Sequence, residues 1–135
     1  MKITMNPIGY INSKYTLENK PPRQSVFNLD SFAEIEILKE FKDGLLGLEK
    51  GMFIVILFYF HESKGFNLQF IHHKENELMG VFATRSPNRP NSIGMSICEI
   101  EDINNNIIKI KGVDMLNNTP ILDIKPYSEK LNPKI

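Results

Sequence analysis

The run "MFIVILFYF", Met52 to Phe60, constrains the fold of this 135-residue chain more than any other stretch. Its β-branched and aromatic side chains suit a pleated surface better than a helix. It is about half of the ~18–20 apolar residues that a helix needs to cross a bilayer. The run therefore predicts a central strand buried on both faces and ending at the polar pair His61-Glu62.

Shorter segments of the same character flank it. Residues Ile3 to Ile11 read as a strand that tolerates Pro7 at its edge or start. "FAEIEILKE" alternates Phe32, Ile35 and Ile37 imperfectly, so strand and helix start compete; a strand running into a short helix fits best, with Leu38, Phe41, Leu45 and Leu48 at helical spacing and Gly44 and Gly47 interrupting it. "FNLQFIHH" places Phe66, Leu68 and Phe70 on one face, and "MGVFAT" makes a further short strand. "IGMSICEI" sets Ile93, Met95 and Ile97 on one face; a turn of three asparagines, another strand and "ILDIKPY" follow. Six to eight strands with one short helix predict an all-β fold, a sheet curled into a β-barrel forming one domain over residues 1–135. The stretch from Asn12 to Ser31 has no regular pattern, which marks a functional loop. The tail from Ser128 is expected to be loosely held.

Composition narrows the partners. With 16 basic and 16 acidic residues the net charge is zero, so nucleic acid must be met by a local basic patch. Cys98 is the lone cysteine; an inert, buried thiol in a reducing cytoplasm is expected. The first residues lack the h-region and cleavage site of a signal peptide, so a cytoplasmic protein with no membrane segment is expected. Neither a Rossmann glycine turn nor a P-loop is present.

"FIHHKENE" brings His72, His73, Glu75 and Glu77 close in sequence. Adjacent histidines on a strand point to opposite faces, so no metal site is expected and these side chains read as solvated edge residues. His61, ending the central strand, is as consistent with a structural as with a functional role. In "TRSPNRPNS", Pro87 and Pro90 fix φ and push Ser86 and Arg89 towards extended backbone. The loop is ordered before anything binds, which lowers the entropic cost of binding. Arg85 and Arg89 carry planar donors suited to carboxylates, phosphates or a base face.

"GVFATRSPNRPNSIGMS" resembles the signature of the TsaA-like family, whose members include TrmO-type tRNA N6-methyltransferases. "PIGYINS", "PPRQ", "LFYFH" and "DMLNNTPILDIKPY" match in order, so the resemblance covers nearly the whole chain. It implies a homodimeric β-barrel that binds S-adenosyl-L-methionine and methylates N6 of threonylcarbamoyl-adenosine at position 37, in the tRNA anticodon loop. It implies a cofactor site made of Pro22, Arg23 and Gln24, of His61 and Glu62, of Arg85 with Met95, and of Asn117, Asn118, Thr119 and Pro120. Arg89 belongs to the same motif, with a role in cofactor, RNA or dimer contacts left open.

The chain departs from the family at Asn117-Asn118, which replaces Asp-Gly. Asparagine accepts the left-handed backbone such a turn needs, but offers no carboxylate. The chain also resembles the short form, without the extra C-terminal domain of longer bacterial members. The catalytic group is not identified by sequence; Asp114, Asp123 and Tyr127 are alternatives for accepting the N6 proton. An alternative function is a TsaA-like cofactor- or RNA-binding module without methyl transfer. A metal hydrolase using His61, His72 and His73 is a more remote one.

Overall fold

Alternation of buried and exposed side chains along each long strand gives one wall of a closed barrel. The computed structural model describes residues 1–20 and 31–135. Residues 21–30, with Pro22, Arg23 and Gln24, lie outside the described residues. Among the described residues the strands are β1 (Gly9–Asn12), β2 (Phe32–Ile37), β3 (Phe53–Tyr59), β4 (Gln69–Ile71), β5 (Leu78–Gly80), β6 (Ile93–Asn104), β7 (Ile107–Lys111) and β8 (Pro120–Pro126). The fold is all-β, as expected.

Six strands close in the order β1-β2-β7-β6-β3-β8, and every pairing is antiparallel. The last pair, Gly9 with Ile121 and Tyr10 with Pro120, seals the ring. Closure leaves no long unpaired edge in the wall. Inside sit Ile35, Ile54, Ile56, Ile100, Ile108 and Ile110, all fully buried. β4 and β5 form a separate two-stranded hairpin.

The long apolar strand is not buried on both faces. Ile54, Ile56 and Phe58 point into the core, whereas Phe53 and Tyr59 are 46% and 44% exposed. Among the described residues no helical layer covers the outside of the barrel, so only one face meets a core. The outward positions pair with outward positions of β6: Val55 with Ile97, Leu57 with Met95, Tyr59 with Ile93. They make an apolar stripe on the outer wall.

Other boundaries also moved. The first strand starts only at Gly9; before it Ile8 N–H donates to Ile121 O and Ile8 O accepts from Leu38 N–H. The expected helix after β2 is a 3-10 helix, Lys39–Leu45, with no buried residue; Gly44 and a left-handed Gly47 keep it from growing. β5 stops at Gly80, and Val81–Ala83 forms a 3-10 turn. The asparagine turn between β6 and β7 holds Asn105 at φ 59°. Ser128 to Asn132 closes a local turn. No helix among the described residues is long and apolar enough to cross a membrane.

Candidate functional site

Where β3 and β6 reach the barrel mouth, the absence of a side chain at Gly94 makes room for two aromatic rings. A Cβ there would collide with the rings of Phe58 and Phe60, which pack edge to face with centroids 5.0 Å apart. This pair floors a cavity of about 850 Å³, at the large end of the range for small-molecule sites. Its walls come from the loop after β5, from the segment after β7, from the β4–β5 hairpin and from Leu17 and Lys20.

The loop after β5 is built by its own hydrogen bonds as well as by its prolines. Thr84 Oγ1 donates to Val81 O at 2.8 Å, and Asn88 N–H donates to Ser86 Oγ at 3.2 Å. Arg89 Nη1 donates to Thr84 O at 2.9 Å and Ser86 O at 3.2 Å. Ser63 Oγ lies 3.0 Å from Pro87 O and 2.8 Å from Asn88 Oδ1, tying the loop to the end of β3. Arg89 thus braces the loop, half-buried, while Arg85 is exposed on it; both line the cavity.

His61, Glu62, Met95 and Thr119 line the same cavity. His61 Nε2 lies 3.6 Å from Glu62 Oε1. Asn117 and Asn118 do not line it, and Pro120 faces a second cavity of about 340 Å³ with Tyr59 and Ile93. The asparagine turn instead fastens β8 to β1. Asn117 Oδ1 accepts from Ser13 N–H at 3.0 Å, Asn117 N–H donates to Tyr15 O at 2.8 Å, and Asn118 N–H donates to Ile11 O at 2.9 Å. Asn118 adopts φ 67°, the left-handed backbone expected of it. An amide oxygen suffices for the Ser13 contact.

Of the three candidate proton acceptors, Asp114 alone lines the cavity. Its Oδ1 accepts a hydrogen bond from Ser96 Oγ, whose side chain is buried in the wall. Asp123 is half-buried on β8 and pairs with Lys125 at 2.7 Å, and Tyr127 is 45% exposed. Cys98, next along the inner face of β6, donates to Gly112 O at 3.2 Å. Burial pushes its thiol far above the ordinary range, and the negative charge of Asp114 adds to the shift.

Sequence spacing misled about His72 and His73. β4 ends at Ile71, so strand alternation does not extend to them; their rings stack with centroids 4.8 Å apart, and both line the cavity. Phe70 and Lys74 line it too. The period-2 pattern gave no sign of this, because a turn brings the rings together. With Lys20, Lys74, Arg85 and Arg89 around it, the mouth is a local cationic patch on a neutral chain. Among the described residues no three His, Cys, Asp or Glu side chains are placed to share a metal ion.

Comparison with known proteins places this architecture. The profile of the tRNA-methyltransferase O N-terminal domain matches residues 10–132. An S-adenosyl-L-methionine-binding protein of Archaeoglobus fulgidus is 37% identical over 95% of this chain and 91% of its own length. The human tRNA (adenine(37)-N6)-methyltransferase is 36% identical over 90% of this chain but 29% of its own. The crystal structure of TrmO from Pseudomonas aeruginosa superposes with a TM-score of 0.81 at 34% identity, over 96% of this chain and 58% of that one. The chain therefore spans somewhat over half of that solved protein. On its sequence and its barrel alike, this chain belongs to the tRNA-methyltransferase O N-terminal domain family.

Proposed function

We propose that the chain is an S-adenosyl-L-methionine-dependent methyltransferase acting on N6 of threonylcarbamoyl-adenosine at position 37 of tRNA, working as a cytoplasmic homodimer of one barrel domain. The observation that carries this reading is the single cavity in which exposed Arg85, Asp114 and the Phe58–Phe60 floor converge beneath a cationic rim. The donor set fits the cofactor: a guanidinium for its carboxylate, carboxylates for its ammonium and sulfonium charges, aromatic rings for its adenine. Arg85, His61, Glu62, Met95 and Thr119 are the described residues assigned to hold it. Pro22, Arg23 and Gln24 complete the assignment, outside the described residues, while Asn117, Asn118 and Pro120 act by shaping the wall.

The bound cofactor supplies an electrophilic methyl group. Adenine N6 is a weak nucleophile, so most of the acceleration comes from alignment, worth up to roughly 7–11 kcal/mol in well-oriented systems. The braced 84–92 loop provides that alignment. As N6 gains a methyl group it loses a proton, and the Asp114 carboxylate, held by Ser96, accepts it. Phe58, Phe60 and Met115 keep water from the reacting atoms. Lys20 and Lys74 draw tRNA phosphates to the rim, making affinity modest and salt-dependent.

The apolar stripe of Phe53, Val55, Leu57, Tyr59, Ile93 and Met95 supports the dimer, since a patch of this kind on an outer wall marks an interaction face. Incubation with anticodon stem-loop RNA carrying threonylcarbamoyl-adenosine and methyl-labelled cofactor tests the activity. Mass spectrometry should find the label on that nucleoside; label on no nucleoside sinks the proposal. A binding module without transfer is the second reading, favoured by the name of the Archaeoglobus relative that this chain spans almost in full. Cofactor binding by calorimetry without any product would select it.

A further inference from the structure

The β4–β5 hairpin stands apart from the barrel sheet, yet it turns three rings towards the cavity. Phe70 and His72 lie with centroids 6.5 Å apart and planes 31° from parallel; His72 and His73 are 4.8 Å apart and 22° from parallel. The ladder is fixed from below. His72 Nδ1 accepts from the backbone N–H groups of Lys74 at 3.2 Å and Glu75 at 3.3 Å, its own N–H donates to Glu77 O, and its carbonyl accepts from Asn76 N–H. A neutral His72 ring therefore carries its proton on Nε2. Phe70 and His72 are half-buried, whereas His73, the last ring, is exposed at the cavity mouth.

We infer that the Phe70–His72–His73 ladder is a stacking platform for an unpaired base of the RNA, one flanking the base that enters the cavity. This rests on the proposed function and extends it to how the substrate strand is gripped. An exposed planar ring accepts any base, and single-stranded RNA is recognised largely by such stacking. Lys20 and Lys74 share the cavity lining with the histidines, so the platform lies beside charges that suit the backbone of the same strand. Glu75 and Glu77, on the same turn, do not line the cavity. The charges argue against an apolar partner, and the stacked rings beside them favour RNA over an acidic peptide, which has no bases to stack.

His73→Ala and His73→Phe, in the full chain, test this with an anticodon stem-loop bearing 2-aminopurine beside the target adenosine. Binding to the native chain should quench the probe. His73→Ala should abolish the quenching and weaken RNA affinity about tenfold, with an unchanged salt slope, while His73→Phe restores both. Thermal melting should match the native chain in both variants. Unaltered RNA affinity in His73→Ala, no rescue by His73→Phe, or no RNA binding by the native chain overturns the platform. Loss of cofactor affinity in His73→Ala without RNA present overturns it too, by assigning the rings to the cofactor's purine. Quenching that depends on His73 without methyl transfer would sink the activity and leave the platform standing.

Discussion

Arg89 donates through one guanidinium nitrogen to the carbonyls of both Thr84 and Ser86, at 2.9 and 3.2 Å. One arginine of the loop therefore shapes it, while the other, Arg85, is exposed and lines the cavity. Arg85→Ala should weaken cofactor binding about 10- to 100-fold, the scale of one charged hydrogen bond, with loop order intact. Arg89→Lys should instead speed amide exchange at Asn88 and its neighbours by about tenfold, since a lysine cannot reproduce the planar fork. Calorimetry and hydrogen exchange separate the two; equal loop loosening in both variants would refute the division.

Asp114→Asn keeps the shape and an acceptor for Ser96 but not the basicity. A fall in kcat of about 10²- to 10⁴-fold with cofactor affinity within a few-fold is expected. Asp123→Asn, out at the Lys125 pair, should leave single-turnover rates unchanged. A kcat insensitive to Asp114→Asn would remove it from the proton path.

Leu57→Lys places a charge in the middle of the outer apolar stripe. Sedimentation should show the mass halved while far-UV circular dichroism is kept. Ile93 and Met95 belong to both stripe and cavity, so cofactor affinity should fall with the dimer. A native chain that sediments as a monomer would dispose of the homodimer.

The Cys98 thiol keeps its proton in the fold because burial opposes the thiolate. The unfolded chain releases that proton above the ordinary cysteine value, about 8.5. The folded state then binds the extra proton, and the contribution to stability present at neutral pH is lost as pH rises through and beyond that value. Urea midpoints should therefore decline above about pH 8.5 less steeply in Cys98→Ala than in the native chain. Native protein should resist thiol reagents at pH 8 and react only when denatured.

Asn117→Ala leaves Ser13 N–H without its acceptor and should cost about 1–2 kcal/mol in denaturant titrations. Asn117→Asp retains an oxygen there and should stay within about 0.5 kcal/mol of the native chain by this account. Equal stabilities for all three would mean the contact contributes nothing.

The β-class, the presence of strands after Gly51 though not their bounds, and the stiffness of "TRSPNRPNS" were legible in the residues themselves. Period-2 patterning and the turn chemistry of Asn104 to Asn106 and Asn118 are local, and local geometry determines them. The run from Met52 to Phe60 predicts burial on both sides, since its composition cannot distinguish a covered face from an exposed outer wall. Strand alternation misplaces His72 and His73, because a strand that ends one residue sooner changes where side chains point. Asp114 could not be told from Asp123 and Tyr127 until barrel closure set one on the cavity and left the others off it. Sequence alone determined which segments would be strands and which loop would be stiff, because backbone preference acts over a few residues. Only the tertiary structure decided which polar groups share one cavity, because that depends on contacts between segments far apart in the chain.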